Sequence, residues 1–367
     1  MAKKLDSIQI LRAIAAISVV AVHSIDRAAR TFPLEAPHSF FARFPDLSRL
    51  GTAGVDIFFV ISGFVMMYVH YEQFGEPAAP SRFLVRRVVR VVPLYWILTG
   101  VAVVSLAVAP KLFFFHSTVD LPWVIGSFLF LQIAPHSGPA SPVIGQGWTL
   151  DFEMFFYAIF AITLFVKRRF AIPLLALIFG IFLAIGLVFP NRPLWLTVWT
   201  GPLLTEFLAG VALAIAYRRA MPIFNRRIGY LVITLGVALF AASVWNSPPW
   251  KSWYQPLEWG IPATLIVWGT LSLKVKESWR VSFGKLLGDA SYSIYLFQVF
   301  ALPGLALLLK AGLRGHGMPV DLAACILVCA SVAVSVGCWY LLERPITRFL
   351  NTSLRKWETA SPLSAIK

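Results

Sequence analysis

Charged residues are scarce in this sequence, and acidic ones are the scarcest. Asp, Glu, Lys and Arg together make up 13% of the 367 residues, whereas 58% are hydrophobic. Soluble domains carry about 25% charged residues, so this composition excludes a soluble globular protein. Runs such as 170–189 and 320–342 are long enough to cross a hydrocarbon core of about 30 Å. The sequence therefore predicts an all-α polytopic membrane protein.

Cysteine is nearly absent. The three cysteines all lie in the last hydrophobic run, where Cys325 and Cys329 are one helical turn apart and Cys338 follows. Cysteines in such a run usually act as small buried apolar side chains. We therefore expect neither a disulfide nor a metal site.

Long hydrophilic segments are also lacking, so no soluble basic module holds the net charge of +15. We expect no nucleic acid partner. Two explanations of the charge stay open: the usual excess of Lys and Arg in cytoplasmic loops, with attraction to anionic membrane lipid, and a phosphate-rich cytoplasmic ligand. The first hydrophobic stretch has no small-residue cleavage site after it, so we expect a retained helix and not a signal peptide.

Eleven hydrophobic stretches occur, and the basic residues between them indicate which ones cross the membrane. The stretch at 121–133 is short and is bounded by Pro122 and Pro135. If it crossed, sixteen Lys and Arg of the following loops would lie outside; if it does not, 22 of the 32 lie inside. The positive-inside rule favours the second arrangement. We predict about ten transmembrane helices plus a short re-entrant or interfacial segment near 121–135, with both termini cytoplasmic.

The expected domain organisation is simple. Residues 1–350 should form one membrane-embedded domain, without an internal repeat of fixed period. The segment 351–367 is polar and shows no hydrophobic periodicity, which predicts a short cytoplasmic tail without regular structure.

The first hydrophobic stretch carries an arginine and a histidine, Arg12 and His23, eleven residues apart. Eleven residues make about three helical turns, so both side chains share one face, about 16 Å apart along the axis. Ionisable residues inside a membrane helix are costly and usually functional. The pair predicts a site that extends across the bilayer.

Two carboxylates are expected at the depth of His23. Asp56 and Glu153 each lie one to two turns into a span that begins on the outer side. A carboxylate can orient a histidine, which then takes a proton from a hydroxyl group. The plain alternative is that each acid is a hydrogen-bonded buried group. Three such residues at one depth favour a catalytic or transport site.

Arginines are expected to form an inner layer with Arg12. Arg86, Arg87 and Arg90 precede Pro93, and Arg82, Arg86 and Arg90 form one helical stripe. Arginine binds phosphate groups in a bidentate manner, so this stripe is a candidate ligand site. An amphipathic helix whose arginines reach lipid headgroups is an equally good interpretation.

Hydroxyl and amide groups lie inside a later span, at Tyr292, Tyr295 and Gln298. Such groups commonly form hydrogen bonds between membrane helices. They could also line a sugar site or a narrow channel, and we add Trp148 to this candidate substrate-binding set.

Six motifs in order, between about residues 5 and 350, resemble those of the bacterial acyltransferase-3 family. They are Leu11-Arg12 to His23, the stretch 54–64 (GVDIFFVISGF), Arg87 to Arg90 before Pro93, Gly147-Trp148-Thr149-Leu150 to Glu153, the stretch 291–296 (SYSIYL) and Glu343-Arg344-Pro345. Within the family the chain is most similar to members that acetylate exopolysaccharide and have no appended periplasmic domain.

The resemblance implies an O-acyltransferase of the bacterial inner membrane. Its donor would be acyl-CoA, expected to be acetyl-CoA, on the cytoplasmic side, and its acceptor a hydroxyl of a cell-surface or lipid-linked saccharide. The family's essential Arg-x₁₀-His motif falls on Arg12 and His23, and its Arg-x-x-Arg motif on Arg87 and Arg90. His23 would act as general base or as transient acyl carrier.

One residue departs from the family pattern. Gln298 takes the place of a histidine found in many relatives, and glutamine cannot act as a base at neutral pH.

Two other functions stay open: a transporter or flippase for a lipid-linked sugar or small anion, and an inactive scaffold. The acyl length and a homo-oligomeric state are also left open.

Overall fold

The computed structural model describes residues 5–44, 50–108, 120–136, 140–219, 225–246, 253–314 and 316–360. Within these ranges the chain is helical and contains no strand, so the predicted all-α class is confirmed. Lys3, Lys4 and residues 361–367 of the predicted tail lie outside the described residues. The main helices are α1 (Asp6–Thr31), α2 (Ala53–His70), α3 (Ala79–Val108), α4 (Leu121–Phe128), α5 (Trp148–Leu164), α6 (Arg168–Val188), α7 (Leu204–Arg218), α8 (Arg226–Asn246), α9 (Ile261–Leu271), α10 (Trp279–Asp289), α11 (Ser291–Gly312), α12 (Val320–Cys338) and α13 (Arg344–Ala360).

Shorter helical segments connect these helices. They are three 3₁₀ turns (Ala36–His38, Leu50–Thr52 and Gly145–Gly147), two short α-helices (Phe40–Arg43 and Leu194–Trp199) and two π-helical turns (Pro256–Gly260 and Trp339–Glu343). Each π turn leads directly into the next helix, α9 or α13. π-Helical turns inside longer helices occur frequently at functional sites.

Nine helical segments among the described residues are long and apolar enough to span a membrane. They are Asp6–Thr31, Leu50–His70, Ala79–Val108, Gly145–Leu164, Arg168–Val188, Leu194–Arg218, Arg226–Val244, Ser291–Gly312 and Val320–Leu354. The predicted span at 257–273 is a shorter helix that runs from Pro256 to Leu271. Helix α4 has 8 residues, about 12 Å of helix, which is less than half of the hydrocarbon thickness.

The C-terminal tail differs from its prediction. Helix α13 passes through residue 351 and continues to Ala360, so the expected lack of regular structure was wrong for the first ten residues of the tail. Ile346, Leu350 and Leu354 recur every four residues, the spacing that gives a helix one apolar face. The apolar face of α13 therefore continues into the segment that was predicted to be a tail.

Helix α1 lies at the centre of the fold, where it packs against α2, α10, α11 and α12. Its buried face includes Ala13, Ala15 and Ala16, small residues that let membrane helices approach closely. Helices α6 and α8 are peripheral, because only 22% of the apolar 18-residue stretch of each helix is buried. On α12, Cys338 is buried as expected, whereas Cys325 and Cys329 face outward, against the expectation.

Two glycines bring α2 and α7 into backbone contact. A Cβ atom on Gly63 would overlap the carbonyl oxygen of Phe207, and one on Gly210 would overlap that of Val60. Phe207 in turn stacks on Phe156 with ring centroids 4.4 Å apart. The two glycines therefore fix the distance between the helices beside an aromatic core.

We expect Gly63→Ala to lower the free energy of unfolding by about 1–3 kcal/mol, the usual cost of overpacking. The added methyl group meets backbone atoms of α7, which cannot rotate away. Gly180→Ala is the matched control, because a Cβ atom there meets nothing within 4 Å. Thermal unfolding in detergent measures both variants, and equal midpoints for the two would contradict this packing.

Residues 120–136 and 140–147 form a folded segment before α5, which we call the cap. The indole of Trp123 donates to the Ser141 carbonyl at 2.7 Å, and the Val143 amide donates to Ser127 Oγ at 3.0 Å. Ile144 is fully buried. Helix α5 therefore follows a folded segment and not an open loop.

Candidate active site

A chamber of about 110 Å³ lies among α1, α2, α3, α5 and α11. Its polar lining combines three arginines with a carboxylate and several hydroxyl groups. These residues are Arg12, Ser62, Arg87, Arg90, Thr149, Glu153, Tyr157, Ser291, Tyr292 and Tyr295. Five of the six family-like motifs thus contribute residues to this chamber, and one of them, the stretch 54–64, supplies Ser62.

Arg12 is held in this chamber by one residue of its own helix and one residue of α11. Its Nη2 donates to Ser291 Oγ at 2.9 Å, and its Nη1 donates to Gln9 Oε1 at 3.3 Å. The amide of Gln9 donates in turn to Asp289. These contacts orient the guanidinium without neutralising it directly.

Glu153 belongs to the arginine layer. It accepts hydrogen bonds from Ser62 Oγ at 3.1 Å and from the Tyr157 hydroxyl, and its charge acts on both Arg12 and Arg87. The Arg87 guanidinium lies 5.7 Å from the Tyr157 ring centroid, and its Nε is buried without a protein partner. A carboxylate in this place balances part of the buried positive charge.

Two tyrosines of α11 close the chamber. The Tyr292 hydroxyl donates to the Val91 carbonyl at 2.7 Å. The Tyr295 hydroxyl donates to the Gln146 carbonyl at 3.2 Å and lies 3.0 Å from Thr149 Oγ1. Both tyrosines were predicted as substrate-binding, and both line the chamber.

A second and larger cavity of about 590 Å³, which we call the vestibule, adjoins the chamber. Arg12, Arg87 and Arg90 line both cavities, so the two share a wall or an opening at these residues. Leu5 and Gln9 place the vestibule at the N-terminal end of α1. The sequence did not single out three further charged residues of its lining, Glu343, Arg344 and Arg348, as site residues.

Glu343 ends the second π-helical turn and points into the protein. It accepts a hydrogen bond from Ser293 Oγ at 2.6 Å, and its charge acts on Arg12 and Arg90. The hydrogen bond joins the SYSIYL motif, through Ser293, to the Glu-Arg-Pro motif, through Glu343. It connects α11 to α13 below the chamber.

Asp56 lies elsewhere. It is fully buried, accepts from Gln255 Nε2 at 3.0 Å and faces the buried carboxyl group of Glu206 within hydrogen-bonding distance. Two carboxyl groups in contact in a dry site cannot both be ionised, so they share a proton. Gly260 of the first π-helical turn packs against the Glu206 side chain.

We expect Glu206→Gln to be tolerated, because an amide replaces the protonated carboxyl group in the same shape. Glu206→Ala should lower the free energy of unfolding by about 1–3 kcal/mol, because it leaves buried polar groups of Asp56 unpaired. Tryptophan fluorescence during thermal unfolding compares the two variants. Equal destabilisation by both would contradict a shared proton.

His23 is exposed on α1 and, among the described residues, lines neither cavity. Ser18 Oγ donates to the Gly51 carbonyl at 3.2 Å, so the 3₁₀ turn that leads into α2 lies about one and a half turns, roughly 8 Å, before His23 along α1. The expected convergence of His23, Asp56 and Glu153 is therefore not observed. Glu153 faces the arginines, and Asp56 is paired with Glu206.

Three other predicted residues lie near the site without lining the chamber. Arg86 lines the vestibule alone. Trp148 packs its ring 5.9 Å from that of Phe152. Gln298 is fully buried, and its Nε2 donates to the Tyr295 carbonyl of its own helix at 2.8 Å. This hydrogen bond lies within α11, so it does not connect two helices as the plain interpretation expected.

No cluster of three or more His, Cys, Asp and Glu that could hold a metal ion occurs in the part of the chain that the structure describes. The cations of the site are arginines, and the chamber wall also carries several hydroxyl groups. Such a site suits an anionic ligand with a polar reactive end.

Comparison with known proteins agrees with this chemistry. Residues 5–343 match a family described as "Acyltransferase domain". The chain is 36% identical over 313 residues to the exopolysaccharide production protein ExoZ of Rhizobium meliloti (strain 1021), an alignment that covers 82% of this chain and 90% of the relative. No solved structure matches the chain.

Proposed function

The chain belongs to the acyltransferase-3 family, and we propose that it moves an acyl group from cytoplasmic acyl-CoA to a hydroxyl of a cell-surface or lipid-linked saccharide. That it is an O-acyltransferase follows from the family. The proposed donor and acceptor are supported by one observation: the chamber and the vestibule meet at Arg12, Arg87 and Arg90. The match to the acyltransferase family supports this function over the alternative of a transporter.

The proposed topology places the vestibule on the cytoplasmic side of the bacterial inner membrane. We propose ten crossings, with Pro256–Leu271 as the tenth and α4 within the outer leaflet. Both termini and 22 of the 32 Lys and Arg then lie inside. Arg86 and Arg344 belong to this inner group and line the vestibule.

In the proposed donor site, acyl-CoA, expected to be acetyl-CoA, places its phosphates against Arg87 and Arg90. Its pantetheine arm extends past Arg12 into the chamber. Arginine and tyrosine groups there can stabilise negative charge that develops on the thioester oxygen. The chamber reaches outward to Val55 and Thr149, toward the half of α1 that carries His23.

His23 is the proposed general base or transient acyl carrier on the acceptor side. In direct transfer, the acyl end of the donor extends from the chamber to His23, where the acceptor hydroxyl loses its proton to His23 and attacks the thioester carbonyl. The C–S bond breaks, and CoA leaves as a thiol after taking up a proton. Neither Asp56 nor Glu153 orients His23 in this scheme, because both carboxylates have other partners.

Release of CoA from acetyl-CoA tests the proposal with purified protein in nanodiscs. We expect release that depends on an added saccharide acceptor, with radiolabelled acetyl groups recovered on the saccharide as base-labile esters. Release without label on the saccharide, or label with a propionyl or longer donor only, would contradict the proposed substrates.

A further inference from the structure

The C-terminal helix α13 brings two arginines to the vestibule. Arg344 directly follows the π-helical turn, with its guanidinium 5.1 Å from the Trp339 ring centroid and 5.3 Å from that of Tyr340. Arg348 lies one turn further and is exposed. Thr347 and Asn351 of the same helix also line the vestibule.

The lining of the vestibule is strongly positive. It includes six arginines (Arg12, Arg86, Arg87, Arg90, Arg344 and Arg348) but only two carboxylates (Asp289 and Glu343). Both carboxylates already accept hydrogen bonds, from Gln9 and Ser293. In the described part of the chain, no ion pair engages Arg344 or Arg348. Like charges gathered in a cavity repel unless an anion lies between them, so this vestibule suits a polyanion.

The positions of the arginines match the order of groups along an acyl-CoA molecule. Arg12, Arg87 and Arg90 line both cavities, whereas Arg86, Arg344 and Arg348 line the vestibule alone. If the thioester lies in the chamber, the opposite, nucleotide end must stay in the vestibule. That end carries a diphosphate and a 3′-phosphate, and the 3′-phosphate is the more remote from the thioester.

We propose that Arg344 and Arg348 form the binding site for the 3′-phosphate of the donor nucleotide. This inference rests on the proposed function. Residues i and i+4 of a helix have Cβ atoms about 6 Å apart, so two guanidinium groups can bind one phosphate from the same side. A 3′-phosphate carries about −1.5 to −2 charges at neutral pH, and arginine suits it better than lysine does.

A phosphate group of an anionic lipid has the same chemistry. Basic amphipathic helices at a membrane surface bind such headgroups. Measurement can distinguish the two sources. If the arginines bind a lipid headgroup, the affinity for CoA depends on the lipid and not on the 3′-phosphate.

The test measures binding of CoA and of 3′-dephospho-CoA to the full chain in nanodiscs of phosphatidylcholine. The variants are Arg348→Gln, whose side chain is exposed, and the double variant Arg344→Gln with Arg348→Gln. Arg280→Gln is the matched control: Arg280 lies on α10, 5.5 Å from the Trp279 ring, as Arg344 lies beside Trp339, but it is outside the vestibule lining. A second set of nanodiscs contains phosphatidylglycerol.

We expect Arg348→Gln to raise the Kd for CoA about tenfold, the usual effect of one charged hydrogen bond, and the double variant to raise it further. The Kd for 3′-dephospho-CoA should change less than twofold in either variant, and Arg280→Gln should resemble the wild type. Arg348→Lys should recover part of the lost affinity.

Three results would overturn the inference. They are an unchanged Kd for CoA, an equal loss for both nucleotides, or a loss that occurs only with phosphatidylglycerol, which would indicate a headgroup site. A wild-type protein that binds neither nucleotide would overturn the proposed donor as well. Failure of the inference alone leaves wild-type CoA binding intact, so the two failures are distinguishable.

Discussion

His23→Ala should lower the rate of acyl transfer by about 10²–10⁴-fold, the usual contribution of a positioned general base, without weakening the binding of acyl-CoA. The reason is its place on α1. His23 is exposed and lines neither cavity, so its removal leaves the donor site and the helix packing intact. Saccharide labelling with radioactive acetyl-CoA measures the rate, and equilibrium binding measures the affinity for CoA.

The control for this variant is His316→Ala. His316 is also exposed, and its Nδ1 contacts the Leu313 carbonyl just after the end of α11. This variant should keep wild-type activity. Full activity in His23→Ala would remove His23 from the mechanism, and a loss of CoA binding would place it in the donor site instead.

The same variant separates the two proposed roles of His23. If His23 carries the acyl group, mixing with labelled acetyl-CoA in the absence of acceptor should label the wild-type protein and not His23→Ala. Direct transfer predicts no label on either protein without acceptor. Each role therefore has its own result.

Arg12→Ala should reduce kcat/KM for acyl-CoA at least 100-fold, comparable to the loss of one donor that stabilises a transition-state charge. Arg12 is the residue of α1 that lines both cavities, so its loss affects donor binding and charge stabilisation together. Arg12→Lys should recover little, because an ammonium group cannot replace the planar guanidinium that contacts Gln9 and Ser291.

Arg82→Ala is the matched control for Arg12→Ala. Arg82 belongs to the same predicted arginine stripe, but it is paired with Glu76 at 2.5 Å and lines neither cavity. Its kcat/KM should stay within twofold of the wild type, and both variants should unfold near the wild-type temperature. Similar losses in the two variants would indicate a general effect of basic charge on lipid contact.

The arginine layer was largely predictable from sequence. Arg12, Arg87 and Arg90 are ionisable residues at the predicted cytoplasmic ends of apolar helices. Their cost in a membrane indicates a function, although for Arg87 and Arg90 a phosphate ligand and lipid headgroups were equally good interpretations. The structure adds that they line one junction, with Arg86 restricted to the vestibule. Spacing within single helices was enough for this part, because each residue lies on a long regular helix.

The depth of Glu153 was not predictable in the same way. Counting depth from the beginning of a hydrophobic run assumes that every span begins at the same level. Glu153 instead accepts from Ser62, six residues beyond Asp56 along α2, so the two carboxylates lie about 9 Å apart along that helix. The pairing of α5 with α2 determines this offset, and the sequence does not contain it.

Contacts between distant parts of the chain also could not be predicted from the sequence. Glu206 and Gln255 gave no signal of their own, and they meet Asp56 only because α2, α7 and the first π-helical turn pack together. Arg344 and Arg348 follow the last span and looked like ordinary loop charges. They belong to the vestibule because α13 continues as a helix and packs against α3.

The sidedness of the donor is the most direct test of the proposed reaction, because acyl-CoA does not cross membranes. Labelled acetyl-CoA is added to sealed inside-out and right-side-out vesicles that contain the protein and its saccharide acceptor. We expect label on the saccharide in inside-out vesicles, where the arginine vestibule faces the medium, and none in right-side-out vesicles until they are permeabilised. Equal labelling of sealed right-side-out vesicles would contradict a cytoplasmic donor site built on Arg12, Arg87 and Arg90.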